Sequence, residues 1–358
     1  MNKVVKPTLL IDSVKVSNNI KRMVQKARLS GAVLRPHFKT HQSVEVGEIF
    51  RNHGIDKITV SSVDMASRFA DAGWHDITIA FPVNLREIDE INRLASIIDL
   101  NLLAESLYSL QFLENRLTHK TGLFIKIDTG YHRTGLLPEN PEIEKMIRFL
   151  ENSKKMEFKG FLTHAGHTYH AKGKKEILSI MESARQQLNR LKQKYIGRFP
   201  GLMVSYGDTP SCSMAATCNG FDEIRPGNFI YYDVMQYHIG SCRLEDIAVA
   251  VACPVVALHP ERGELVIYGG AVHLSKEAIE ADNGFTMYGY VTELSESGWS
   301  APIPGAYISS LSQEHGIVKI PGKYLEKFKP GDIIGVLPVH SCLAADLLEQ
   351  QLLLNVKG

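Results

Sequence analysis

Excess charge of one sign, cysteine pairs and long apolar runs are all scarce in this chain of 358 residues. Lys and Arg total 40 against 39 Asp and Glu, a formal net charge of +1. A chain so balanced lacks the basic footprint of a nucleic-acid binder, or of a protein held on an anionic membrane surface. Cys212, Cys218, Cys242, Cys253 and Cys342 are odd in number and form no C-x-x-C pair. That suits reduced thiols in the cytoplasm and not a disulfide framework. The opening MNKVVKPTLLID carries Lys3 and Lys6, and its apolar run is too short for a signal peptide. The longest apolar stretch, 247–258, is broken by Pro254 and falls short of a bilayer span. No membrane, nucleic-acid or secretory role is expected.

What is present is globular. Hydrophobic residues make up 44% and charged residues 22%, enough to bury a core and too apolar for long disorder. The length predicts about two domains, or one barrel with an appendage.

Eight short aliphatic runs, near 32–34, 57–61, 76–81, 97–100, 123–127, 159–163, 203–205 and 223–225, alternate with helix-period segments. One of these, about 174–195, is long. Strands alternating with helices imply βαβ units, and eight of them imply a (β/α)8 barrel with its chemistry on the loops after the strands. A doubly wound open sheet is the rival, weakened because no G-x-G-x-x-G follows the first strand. From about residue 244 the runs 247–258, 264–267, 286–294 and 317–320 are β-rich and punctuated by Gly and Pro. They predict a smaller, mostly antiparallel β domain.

Three sets of residues can carry chemistry. Lys39, in RPHFKTH after the first strand, is expected at the barrel mouth, where a lysine in a pocket can form a Schiff base; the bland reading is a solvated surface lysine. The turns SYGDTPS at 205–211 and RPGN at 225–228 offer hydroxyls and bare backbone after late strands, where barrels bind phosphate. Either turn read alone is ordinary Gly, Pro and Asp turn chemistry. His340 and Cys342, read as an extended H-x-C, share one face and present an N,S pair suited to zinc. With only two protein ligands such a metal site is catalytic; the bland reading is a half-buried histidine beside a small cysteine. The cluster HAGHTYH at 164–170 offers acid–base groups, Gln313-Glu314-His315 could orient a ligand, and Asp128 and Arg133 can pair across a turn.

Taken in order, KPTLLID, RPHFKTH, KIDTGYHRTG, THAGHTY, SYGDTPS, EIRPGNFIYYD, SQEHG and PVHSC resemble the fold type III pyridoxal-phosphate enzymes. The closer match is their D-serine dehydratase and D-threonine aldolase branch, which is alanine-racemase-like. The resemblance covers nearly the whole chain. It implies an N-terminal strand (1–12) joining the β domain, a cofactor-binding (β/α)8 barrel (13–243) and a C-terminal β domain (244–358). It implies pyridoxal 5'-phosphate on Lys39, with Thr209, Gly227, Asn228 and Tyr169 at the phosphate and His164 beside the cofactor. Arg225 is expected near the pyridine nitrogen and Arg133 near the phenolic edge. His340 and Cys342 match the zinc pair of the dehydratases, with manganese the other metal considered. The aldolases have aspartate where Cys342 stands, so dehydration is favoured over aldol cleavage. Asp208 departs from the family's common serine, and a carboxylate beside a phosphate is unfavourable unless it points outward. The implied activity is dehydration and deamination of a β-hydroxy D-amino acid by a homodimer. The alternatives are a D-threonine aldolase, an amino-acid racemase and a non-enzymatic cofactor carrier.

Overall fold

The computed structural model describes residues 4–280, 284–348 and 350–354; the outermost residues of the two terminal segments expected above lie outside them. Two compact units divide the chain: Lys21–Gly227, and Met1–Ile20 with Asn228–Gly358. This divide falls at 227/228, whereas the sequence pattern changes near 243/244.

The first unit is a parallel barrel of eight strands, Val33–Leu34, Lys57–Val60, Asp76–Pro82, Asp99–Ala104, Thr121–Lys126, Met156–Leu162, Met203–Tyr206 and Glu223–Ile224. Each pairs with the next in sequence, and Val33–Leu34 pairs with Glu223–Ile224. A parallel bridge between His37 and Thr59 continues the ring, leaving it nearly closed. Every residue of Thr121–Lys126 is buried. Strands covered on both faces read as unbroken apolar runs, which is why the pattern was visible in sequence. Serines at 43, 62 and 106 cap the helices that follow three of the strands, each accepting a backbone N–H. The helix Lys174–Tyr195 buries Ile177, Met181, Ala184, Leu188, Leu191 and Tyr195, an inward stripe at helical period.

The second unit is built on an eight-stranded sheet. In spatial order its strands are Glu264–Tyr268, His315–Lys319, Gly298–Leu311, Gly289–Ser295, Ile333–Pro338, Val249–His259, Thr8–Asp12 and Gln351–Leu354. A further pairing of Val249–His259 with Glu264–Tyr268 closes six of them into a barrel-like sheet. All pairings are antiparallel except that of Thr8–Asp12 with Gln351–Leu354. Among the described residues, no helix is long and apolar enough to cross a membrane.

Candidate active site

In the barrel unit Lys39, Arg133, His164, Tyr169, Thr209, Arg225 and Gly227 all follow carboxyl ends of the parallel strands. They therefore share one end of the barrel, where such folds place their chemistry. Lys39 lies on the short turn Phe38–Thr40. Phe38 is fully buried against Phe50, Phe69 and Trp74, with ring centroids 4.9–5.0 Å apart, and Thr40 is buried beside it. The two flanking side chains pin the turn and leave Lys39 exposed. The Lys39 backbone N–H donates to His37 Nδ1 at 3.4 Å.

Burial, together with Lys39, Arg225, His164 and Arg133, holds the His37 imidazole well below its usual value. His164 is also held well below its usual value, by burial and then by Lys126, Lys39 and Arg133. It is neutral near pH 7. Its Nδ1 lies 2.7 Å from the Gly207 carbonyl oxygen, which can only accept. The proton is therefore on Nδ1, and Nε2 keeps a lone pair.

Thr209 opens the helix Thr209–Met214, and its hydroxyl oxygen is buried with no partner among the described residues. A buried unpaired hydroxyl is unfavourable unless something outside the protein satisfies it. Backbone crowding enforces two glycines here. A side chain on Gly207 would meet the Arg225 carbonyl group at 2.9 Å, and one on Gly227 would meet the His37 oxygen at 3.0 Å. Bare backbone, an orphaned hydroxyl and surrounding positive charge fit a phosphate group. Asp208 does not stand in the way: it caps the helix, its carboxylate accepting from Ser211 N at 2.6 Å. Burial raises its pKa. Tyr169 sits on the turn Gly166–His170, which packs on that same helix.

Arg225 is buried, with Nε donating to Ser205 Oγ at 2.6 Å and Nη2 to the Thr163 carbonyl at 2.5 Å. Arg133 is exposed and lies over the Tyr131 ring, 5.0 Å from its centroid. Asp128 does not pair with Arg133. It accepts from the backbone N–H groups of Gly130, Tyr131 and His132, and from His132 Nδ1 at 2.9 Å. The short tether to residues 130–132 satisfies both its oxygens before Arg133 is reached.

In the second unit His340 and Cys342 are not on one extended segment, as the H-x-C reading expects. His340 is extended, at φ −129° and ψ 101°, but a helix begins at Ser341 and carries Cys342 in its first turn. The two side chains still meet through a hydrogen bond. Burial lowers the His340 pKa, yet Cys342, followed by Asp233 and Glu277, outweighs it and raises the group to about 9. Asp233 Oδ2 lies 4.0 Å from His340 Nδ1. It also accepts from Asn228 Nδ2 at 2.7 Å, Ser341 N at 3.0 Å and Ser341 Oγ at 3.2 Å. Among the described residues no group of three or more His, Cys, Asp or Glu could hold a metal ion. The His340 and Cys342 pair fits a soft divalent cation only if water or substrate completes its shell. Glu314 instead approaches His273, at 3.8 Å.

Three charged residues at these sites escaped the sequence reading. Lys126 is buried at the end of an apolar strand, and burial, Arg225 and Arg133 bring its pKa down to about 7. Glu223 is buried beside Arg225, and Asp233 braces the His340 turn. A charged residue ending an otherwise apolar strand was the signal available for Lys126.

Known proteins share this architecture. The family model described as "Alanine racemase, N-terminal domain" matches residues 11–234, and that described as "Putative serine dehydratase domain" matches 248–354. A D-serine dehydratase of Dictyostelium discoideum is 29% identical, the alignment covering 97% of this chain and 92% of the relative. The structure of a D-threo-3-hydroxyaspartate dehydratase from Delftia sp. HT23 superposes with a TM-score of 0.88 at 28% identity, covering 98% of this chain and 95% of the other. A cysteine-to-alanine mutant of a D-threo-3-hydroxyaspartate dehydratase, in its metal-free form, gives 0.90 at 27% identity, covering 99% and 96%. With more than half of its residues matched by the first of these models, the chain belongs to the alanine racemase N-terminal domain family.

Proposed function

We propose that the protein is a pyridoxal-phosphate- and metal-dependent lyase that dehydrates and deaminates a β-hydroxy D-amino acid. The observation that carries the reading is the carboxyl end of the barrel. An exposed lysine, a neutral imidazole with a free Nε2 and a buried hydroxyl without a partner all converge on it. When bound, pyridoxal phosphate supplies an electron sink for the Cα–H bond, and a divalent metal supplies Lewis acidity to a β-hydroxyl leaving group.

The chain's own residues do the rest. Lys39 would hold the cofactor through its Nζ and is the base that would take the substrate's α-proton. Thr209, Gly227, Asn228 and Tyr169 bind the phosphate. Arg225 would serve the ring nitrogen and Arg133 the phenolic edge, and His164, fixed by its bond to Gly207, would lie beside the cofactor. His340 and Cys342 hold the metal, zinc by ligand softness. A relative described in a metal-free form supports a metal here too. D-Serine gives pyruvate and ammonia in this scheme, and D-threo-3-hydroxyaspartate gives oxaloacetate and ammonia. The relatives' names support both substrates. The same reading makes the protein a cytoplasmic homodimer; that its cysteines form no disulfide suits the cytoplasm.

A panel of D-amino acids with product identification, run before and after chelation, tests the proposal. Keto acid and ammonia, lost on chelation and restored by zinc, are expected. Glycine and an aldehyde from D-threonine would make the protein an aldolase. Cofactor uptake with no turnover of any member would leave it a carrier.

A further inference from the structure

A row of polar groups, buried except at its Lys57 and Asp76 end, runs through the interior of the barrel. Lys57 Nζ lies 2.5 Å from Asp76 Oδ2, and Asp76 Oδ1 accepts from Arg35 Nη1 at 2.6 Å. Arg35 Nε donates to Glu223 Oε2 at 2.5 Å. The other carboxylate oxygen, Glu223 Oε1, accepts from Ser205 Oγ at 2.5 Å, and Ser205 Oγ in turn accepts from Arg225 Nε at 2.6 Å. One end of the row, at Lys57 and Asp76, lines a cavity of about 380 Å³ at the amino ends of the strands. The other is Arg225, at the end carrying Lys39. Strand register builds the central link, because Ser205 and Glu223 are direct partners on adjacent parallel strands.

The direction of each hydrogen bond is fixed. A carboxylate only accepts and a guanidinium only donates, so the Ser205 hydroxyl must give its proton to Glu223 and its lone pair to Arg225. Glu223 is 3.9 Å from Arg225 Nε, too far for a direct hydrogen bond, which makes the hydroxyl the connecting element. With Nε on Ser205 and Nη2 on Thr163, Arg225 has only Nη1 without a partner among the described residues. The guanidinium can neither rotate nor shift without breaking two buried bonds.

We propose that Glu223 is a positioning residue: through Ser205 it fixes the Arg225 guanidinium and sets the charge presented to the ring nitrogen of a bound cofactor. The inference rests on the cofactor reading above and assigns new roles to Glu223 and Ser205. Glu223, Cys212, Arg35, Lys126 and His37 are the charged or titratable groups coupled to Arg225. Of these, Glu223 is the carboxylate. Losing its charge leaves Arg35 with Asp76 as its carboxylate partner and takes from Arg225 the carboxylate nearest to it, so a cation at the ring becomes less favourable.

The test is a pH titration of the visible absorbance of lysine-bound pyridoxal phosphate in the wild type, Glu223→Gln and Ser205→Ala. In Glu223→Gln the midpoint is expected to fall by about one pH unit, the effect of one nearby charge. Ser205→Ala keeps the Arg35 and Glu223 pair and is expected to displace the midpoint as well. Glu223→Asp, which keeps the charge, should restore the wild-type profile in part. Folded variants with the wild-type midpoint would overturn the role of Glu223 even if they are less stable. Should Glu223→Gln not fold, Ser205→Ala decides alone. A wild-type protein that takes up no pyridoxal phosphate overturns the cofactor reading instead, a result distinct from an unmoved midpoint.

Discussion

The Asn228 side-chain amide lies 3.4 Å from Cys342 Sγ and donates to it. The same nitrogen also reaches Asp233 at 2.7 Å and Ser341 at 3.1 Å. One side chain therefore ties together Ser341, which stands between His340 and Cys342, the carboxylate nearest His340 and the sulfur itself. Groups that orient metal ligands without touching the metal commonly set affinity as strongly as the ligands do.

Asn228→Ala is accordingly expected to lower metal affinity by about 10–100-fold, the usual penalty for losing such a brace. Metal titration of the folded variant, monitored by bound-metal content, checks it. Unchanged affinity would mean that Asn228 serves packing alone.

Thr209→Val separates ligand binding from folding. The hydroxyl oxygen is buried with no protein partner, so removing it takes no hydrogen bond from the empty protein. The thermal midpoint without cofactor is expected to stay level or rise. Pyridoxal-phosphate affinity should fall by about tenfold or more, since a hydrogen bond to a charged group contributes about 1.5–3 kcal/mol. Equilibrium binding followed by absorbance measures the loss. A drop in stability with unchanged affinity would count against a phosphate at Thr209.

The limits of the sequence follow the same division between local and non-local causes. Most barrel strands were legible because they are aliphatic runs ended by polar residues, with Lys39, His164, Thr209 and Arg225 at those ends, but the run near 97–100 shares only two residues with the strand Asp99–Ala104. The strand Gly298–Leu311 was not, since Gly298, Pro302, Pro304 and Gly305 break its pattern and its register shifts at bulges. Cys342 was paired with His340 for the wrong local reason, an extended segment, although the two side chains do meet. The roles of Glu223 and Asp233 depend on partners 18 and 108 residues away, Ser205 and Ser341. No window of sequence shows that.

Arg35→Met breaks the row at a buried point. Arg35 and Glu223 have side chains only 5% and 2% exposed, so the variant strands a carboxylate in the barrel. A loss of about 3–5 kcal/mol is expected by denaturant unfolding. Asp76 adds a pH dependence. Burial alone would raise its pKa, but Arg35 and Lys57 together hold it below its usual 3.8. A carboxylate depressed in the folded state stabilises above its unfolded value and loses that contribution as pH falls through the folded one. Asp76→Asn should therefore flatten the acid limb of the stability curve below about pH 4. An unchanged acid limb would remove Asp76 from the acid transition.

Lys126 runs the other way. Burial, reinforced by Arg225 and Arg133, lowers its folded-state pKa from 10.5 to about 7. Below that folded value the lysine is charged in both states, and its charge is buried at full expense on folding. Between pH 7 and 10.5 the folded form is already neutral while the unfolded form is still losing its proton, so the expense shrinks and then vanishes. Lys126→Met, of similar length and without the charge, is expected to stabilise the cofactor-free protein at pH 6 by on the order of 4 kcal/mol. The gain should narrow steadily as the buffer becomes alkaline. Denaturant unfolding of both proteins across that range checks the sign as well as the size. A gain independent of pH would assign the effect to packing, and a loss at pH 6 would mean that the ammonium is stabilised by its neighbours, Glu105 and Asp128 being the acidic ones.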